Sequence, residues 1–162
     1  MKAIQLTNSI PRYLVTKALG KVWPQAFWGP TAMLQYREVP EPALPGRRWV
    51  RIKTRYGGIC GSDMHSIMLR DSPSLSAFTS FPFTLGHENV GVIAEVGPEV
   101  EGFAPGDRVV AEGLLPCATR GIEEPCEFCR QGEFSRCQNF TEGKLAPGLG
   151  IGICASTGGS WS

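Results

Sequence analysis

Histidine is scarce in this chain: its 162 residues contain two, His65 and His87. Any imidazole chemistry must pass through one of them. A charge surplus is also missing, since 16 Lys and Arg nearly cancel 15 Asp and Glu. That balance excludes the strong basic field of a nucleic-acid binder. No apolar run approaches the roughly 20 residues that span a bilayer, so no membrane partner is expected. The opening stretch Met1-Lys2-Ala3-Ile4-Gln5-Leu6-Thr7 turns polar too soon for the core of a signal peptide. A soluble, cytoplasmic protein is the expectation.

What the chain has in quantity is glycine (20), proline (13) and cysteine (6), with 42% hydrophobic residues. That mixture suits many short strands joined by tight turns around one core. Strands are predicted at residues 1–7, 33–39, 50–56, 89–96 and 108–111. The clearest is 50–56, where Val50, Ile52, Thr54 and Tyr56 alternate with Arg51, Lys53 and Arg55, the pattern of a sheet with one wet face. Residues 11–20 read as a helix stopped by Gly20, with Leu14 and Ala18 on one face. A second helix is predicted at 62–69, with Ser62 or Asp63 as its cap. The aromatic stretch 22–30 is expected to cover an edge of the core. The predicted architecture is mainly β with short helices, a partly open barrel plus an irregular cysteine-rich lobe at about 115–140.

Two clusters carry chemistry. The first is Cys60-Gly61-Ser62-Asp63-Met64-His65 together with Gly86-His87-Glu88. Thiolate, imidazole and carboxylate are the ligands of a catalytic zinc that keeps one position open. Asp63 is placed to support a metal-bound imidazole from behind. Taken singly, a buried cysteine and a hydrogen-bonded histidine account for the same residues. The second cluster is Cys117, Cys126, Cys129 and Cys137. With no export signal, clustered cysteines favour metal over disulfides, and four thiolates close a structural zinc site.

In order and spacing, four stretches match one family: Gly58-Ile59-Cys60-Gly61-Ser62-Asp63-Met64-His65, Leu85-Gly86-His87-Glu88, Gly91-Val92-Ile93-Ala94-Glu95-Val96-Gly97 and Gly106-Asp107-Arg108-Val109. The chain resembles the GroES-like catalytic domain of the zinc-containing medium-chain alcohol dehydrogenases. The resemblance implies a GroES-like domain over residues 1–162, with the Rossmann cofactor domain absent from this chain. It implies that Cys60 and His87 ligate a catalytic zinc, with Glu88 close enough to exchange into the shell. Ser62 and His65 would relay the alcohol proton, and Cys117, Cys126, Cys129 and Cys137 would hold the structural zinc. Zinc, NAD or NADP held by the missing domain, a small-molecule alcohol and a homo-oligomeric enzyme complete the implied picture, while this piece alone is expected to be inactive.

Three departures from the family pattern stand out. The first lobe interval holds eight residues where the family usually has two, which makes Cys117 the weakest assignment. Residues 8–30 resemble an insertion between the first two strands. The chain also ends before the family's third catalytic ligand. The run Gly148-Leu149-Gly150-Ile151-Gly152 is read as a turn-rich loop, because no strand leads in and no helix follows as a dinucleotide motif needs. Cys154 fits neither cluster and is expected to be a packed or free thiol. A zinc-stabilised binding or assembly module without chemistry is the rival reading.

Overall fold

The computed structural model describes residues 1–71 and 78–162. Strand β1 (Lys2–Leu6) is followed by helix α1 (Ile10–Leu19), a 3-10 turn at Pro24–Phe27 and strand β2 (Leu34–Glu38). Then come β3 (Val50–Gly57), α2 (Gly61–Ile67), β4 (Phe83–Thr84), β5 (Asn89–Val96), β6 (Arg108–Val110) and the single turn α3 (Glu127–Arg130). The strands build two open, antiparallel three-stranded sheets, ordered β2-β1-β4 and β3-β5-β6. This is the mainly β, incompletely closed architecture expected from the short strand signals.

Turn chemistry sets the boundaries. Helix α1 begins at Ser9, whose side chain accepts from the Arg12 N–H, and Gly20 ends it. The β3–β5 ladder slips register twice, between Arg51 and Ile52 and between Thr54 and Tyr56. Those irregularities break the simple alternation, and Tyr56, expected inward, is 78% exposed. Bulges of this kind are common where a strand approaches a functional rim.

The main core gathers Leu6, Met33, Ile67, Leu69, Phe83 and Leu85 between the first sheet and α2. A smaller cluster of Leu115, Leu145 and Cys154 lies under the cysteine lobe. The chain's last turns join the first sheet, because Ile4 N–H donates to Trp161 O while Trp161 N–H donates to Leu85 O. Of the aromatics between residues 22 and 30, Phe27 packs on the core. Trp23 and Trp28 are 47% and 54% exposed, which corrects the expectation that the whole stretch is buried. Cys154 is fully buried with its Sγ 3.3 Å from Ala146 O, a packed thiol as expected.

Candidate metal centres

Cys60, His87 and Glu88 come together where α2 starts and where β4 leads into β5. One ligand atom from each lies within 4.8 Å of the others. Local backbone geometry builds this meeting. Gly58 N–H donates to Glu88 O, tying the end of β3 to the start of β5. Gly86 has φ of +90°, a conformation that L side chains rarely adopt, and a Cβ there would strike Ser160 and Trp161. Glycine at this position therefore permits the turn that delivers His87.

The N-cap of α2 is Cys60 itself, in place of the predicted Ser62 or Asp63. Asp63 is the N3 residue of a capping box, and its Oδ2 accepts from Cys60 N–H at 2.9 Å. Its other oxygen lies 3.4 Å from His87 Nδ1, and only 3% of the Asp63 side chain is exposed. One buried carboxylate thus addresses two of the three converging residues. Hydrogen bonds from the Ser62 side chain and backbone, and from His87, hold the Cys60 thiol below its ordinary range. Ser62 and His65 are both exposed on α2, and His65 Nδ1 lies 3.9 Å from Asp71 Oδ1. Ser62 joins the cluster through Cys60; His65 stands outside it.

In the lobe, the four sulfurs of Cys117, Cys126, Cys129 and Cys137 also lie within 4.8 Å of one another. All six cysteines are free, and Cys117 and Cys137 sulfurs are 3.7 Å apart. A tetrahedral site with zinc–sulfur distances of about 2.3 Å places its sulfurs roughly 3.8 Å from each other, so the donor set fits zinc. Backbone N–H groups of Gln138 and Cys129 lower the Cys126 thiol to about 6, whereas burial pushes Cys129 up to about 12 and raises Cys137.

The long first interval does not carry Cys117 away. Residues after Pro116 curl back on themselves: Arg120 N–H reaches Cys117 O, and Ile122 N–H returns to the same carbonyl at 3.0 Å. Cys126 N–H then donates to Cys117 Sγ at 3.4 Å, and Asn139 Nδ2 does so at 3.3 Å. Inside this curl sits Arg120, fully buried. Its guanidinium donates to the carbonyls of Leu115, Glu142, Leu145, Ala146 and Gly148. Sequence reasoning missed Arg120, Asn139 and the double role of Asp63. An arginine within the extended interval was the one available signal.

A cavity of about 1160 Å³, lined by residues including Trp49, Ile52, Asn89, Ile93 and Leu114, lies beside the second sheet. None of the converging ligand side chains lines it.

Residues 46–161 match the alcohol dehydrogenase GroES-like domain family. The chain belongs to the zinc-containing medium-chain alcohol dehydrogenases. It is 38% identical over 109 residues to a sorbitol dehydrogenase of Halalkalibacterium halodurans, covering 67% of this chain and 28% of that protein. An L-threonine 3-dehydrogenase of Marinomonas sp. is 40% identical over 116 residues, covering 72% and 29%. Among solved structures, galactitol-1-phosphate dehydrogenase from Escherichia coli aligns with a TM-score of 0.63 and 25% identity, over 100% of this chain and 34% of that one. The alcohol dehydrogenase of Aeropyrum pernix aligns with a TM-score of 0.61 and 29% identity, over 93% and 34%. The medium-chain dehydrogenase fragment described here thus spans under a third of the curated relatives it matches. The family match begins at residue 46, so the segment 8–30 lies outside it.

Proposed function

We propose that this chain is the zinc-binding catalytic domain, residues 1–162, of an NAD(P)-linked alcohol or polyol dehydrogenase whose nicotinamide is held by a further domain. The observation that carries the reading is the convergence of Cys60, His87 and Glu88, with Asp63 buried behind two of them. Three protein ligands are what a catalytic zinc takes when one position stays open. In this reading Cys60, His87 and Glu88 hold the catalytic ion, and the four lobe cysteines hold a structural one.

Zinc bound at Cys60, His87 and Glu88 supplies the Lewis acidity that eases loss of an alcohol's hydroxyl proton. Ser62, in the first turn of α2 beside Cys60, receives that proton, and the exposed His65 passes it to solvent. Asp71, 3.9 Å from His65 Nδ1, supports the imidazole while it carries charge. Asp63 touches no substrate; it keeps the Nδ1 edge of His87 engaged so that Nε2 is free to face the metal. Hydride acceptance belongs to the nicotinamide. No helix among the described residues is long and apolar enough to cross a membrane. A cytoplasmic, homo-oligomeric enzyme acting on a small alcohol is the setting we assign.

Elemental analysis of the purified protein tests the reading. We expect two zinc ions per chain, falling to one in Cys60→Ser. Zinc-free protein, or the same zinc content in Cys60→Ser, would reject the assignment. In the full-length enzyme Cys60→Ser should also abolish turnover.

A further inference from the structure

Helix α1 faces the wrong way for a helix folded onto a core. At 3.6 residues per turn, Ile10, Leu14, Val15 and Leu19 share one half of its surface and Arg12, Tyr13 and Thr16 the other. The polar half turns inward. Thr16 is buried with its hydroxyl donating to Thr31 O at 2.7 Å, and Arg12 Nη1 donates to Pro30 O and Ala32 O. The apolar half faces out, with Ile10 72%, Leu14 60% and Val15 45% exposed. The stripe continues past the helix end, because Val22 and Trp23 fold back to hydrogen-bond Leu19 O and are 84% and 47% exposed.

Scattered exposed apolar residues need no explanation, but a run of this extent exceeds what monomeric proteins usually show. Six large side chains leave several hundred Å² of apolar surface, the scale of the roughly 800 Å² that each partner buries in a standard interface. The segment also lies outside the matched family region, so the common fold does not require it.

Charge decides what covers the stripe. No acidic residue precedes Glu38 in the sequence. The basic groups of the segment are mostly engaged: Arg12 as above, and Lys17 Nζ with Leu69 O and Tyr13 Oη. Among the described residues of 8–30, Lys21 is the one cation without a hydrogen-bond partner. An anionic lipid surface draws on clusters of basic residues, and one lysine does not make such a cluster. A second copy needs only matching apolar surface. Two α1 helices packed antiparallel about a two-fold axis bury Leu14 and Val15 at the centre. Their Lys21 side chains then fall at opposite ends, roughly 15–20 Å apart, beyond the Debye length of about 8 Å.

We propose that the outward face of α1, continued by Val22 and Trp23, is a self-association interface through which two copies of this chain pair isologously. The proposal is independent of the zinc sites.

Sedimentation velocity across about 1–100 µM protein, with reductant to prevent disulfide dimers, reads the oligomeric state. We expect a dimer that persists at about 1 M salt, since its contacts are apolar. Leu14→Glu should weaken it at least a hundredfold while leaving the zinc content unchanged. Val22→Lys, outside the helix and mostly exposed, should weaken it in the same direction if Leu14→Glu does not fold. A monomeric wild type, a dimer dissolved by salt, or a dimer indifferent to both folded variants overturns the proposal. Binding of a monomeric wild type to phosphatidylglycerol vesicles, lost in Leu14→Glu, would overturn it in favour of lipid.

Discussion

The Asp63 carboxylate lies 3.4 Å from Nδ1 of His87 while only 3% of its side chain meets solvent. Its other oxygen caps α2 through the Cys60 N–H. The residue that starts the helix and the residue that steadies the imidazole are therefore one and the same, so helix position and ring orientation are set together.

Asp63→Asn separates the two tasks. An amide oxygen still accepts from Cys60 N–H, so the cap survives. The amide nitrogen, a donor only, then faces His87 Nδ1 and favours the proton on Nε2, the atom needed for metal. Zinc affinity at Cys60, His87 and Glu88 should fall about ten- to a hundredfold. Competition with a calibrated chelator measures it, and lobe zinc serves as the internal control. Equal affinity in the variant would remove Asp63 from the metal site.

Arg120→Met should cost about 3–5 kcal/mol, because it leaves five buried carbonyl partners without their shared donor. Arg120→Lys should recover little, since an ammonium cannot span the same fork of acceptors. Urea unfolding of the zinc-loaded proteins reads both. Loss of under about 1 kcal/mol in Arg120→Met would mean that water replaces the guanidinium.

Local signals explain which parts of this molecule were legible in sequence. Val50–Gly57 and Asn89–Val96 announce themselves by β-branched residues and flanking turns, and both are strands. The two-residue β4 has no periodicity to show; it exists because Gln5 and Leu6 of β1 pair with it. The predicted helix at 11–20 is present, but its face is reversed, since Thr16 finds a buried acceptor in Thr31 that no helical pattern records. Both ligand clusters were legible as residue types at family spacing. Asn139 and Arg120 were not, because their partners lie 22 and up to 28 residues away and depend on how the lobe curls.

Zinc removal should act on the lobe before the sheets. The cysteine lobe has few regular hydrogen bonds outside its turns, so its order rests on the four sulfurs and on Arg120. Chelation at neutral pH should make Cys126, Cys129 and Cys137 reactive to thiol reagents and lower Tm. Amides of β3 and β5 should keep their hydrogen-exchange protection. Thiol counting and exchange mass spectrometry follow the two regions separately. Sheets that open together with the lobe would show the lobe to be part of a single cooperative unit.

Gly86→Ala tests whether backbone geometry, and not ligand chemistry alone, makes the catalytic cluster. At φ of +90° an added Cβ is strained, and it meets Ser160 Oγ and the Trp161 ring. Trp161 cannot retreat freely, because its Nε1 donates to Gly58 O at 3.0 Å and its backbone bridges Ile4 and Leu85. The substitution should cost about 2 kcal/mol or more. It should also displace His87 from Cys60 without touching any metal ligand. Zinc content should then fall from two to one while lobe thiols stay protected. A variant that keeps both ions and its stability would show that His87 reaches the cluster from a relaxed turn.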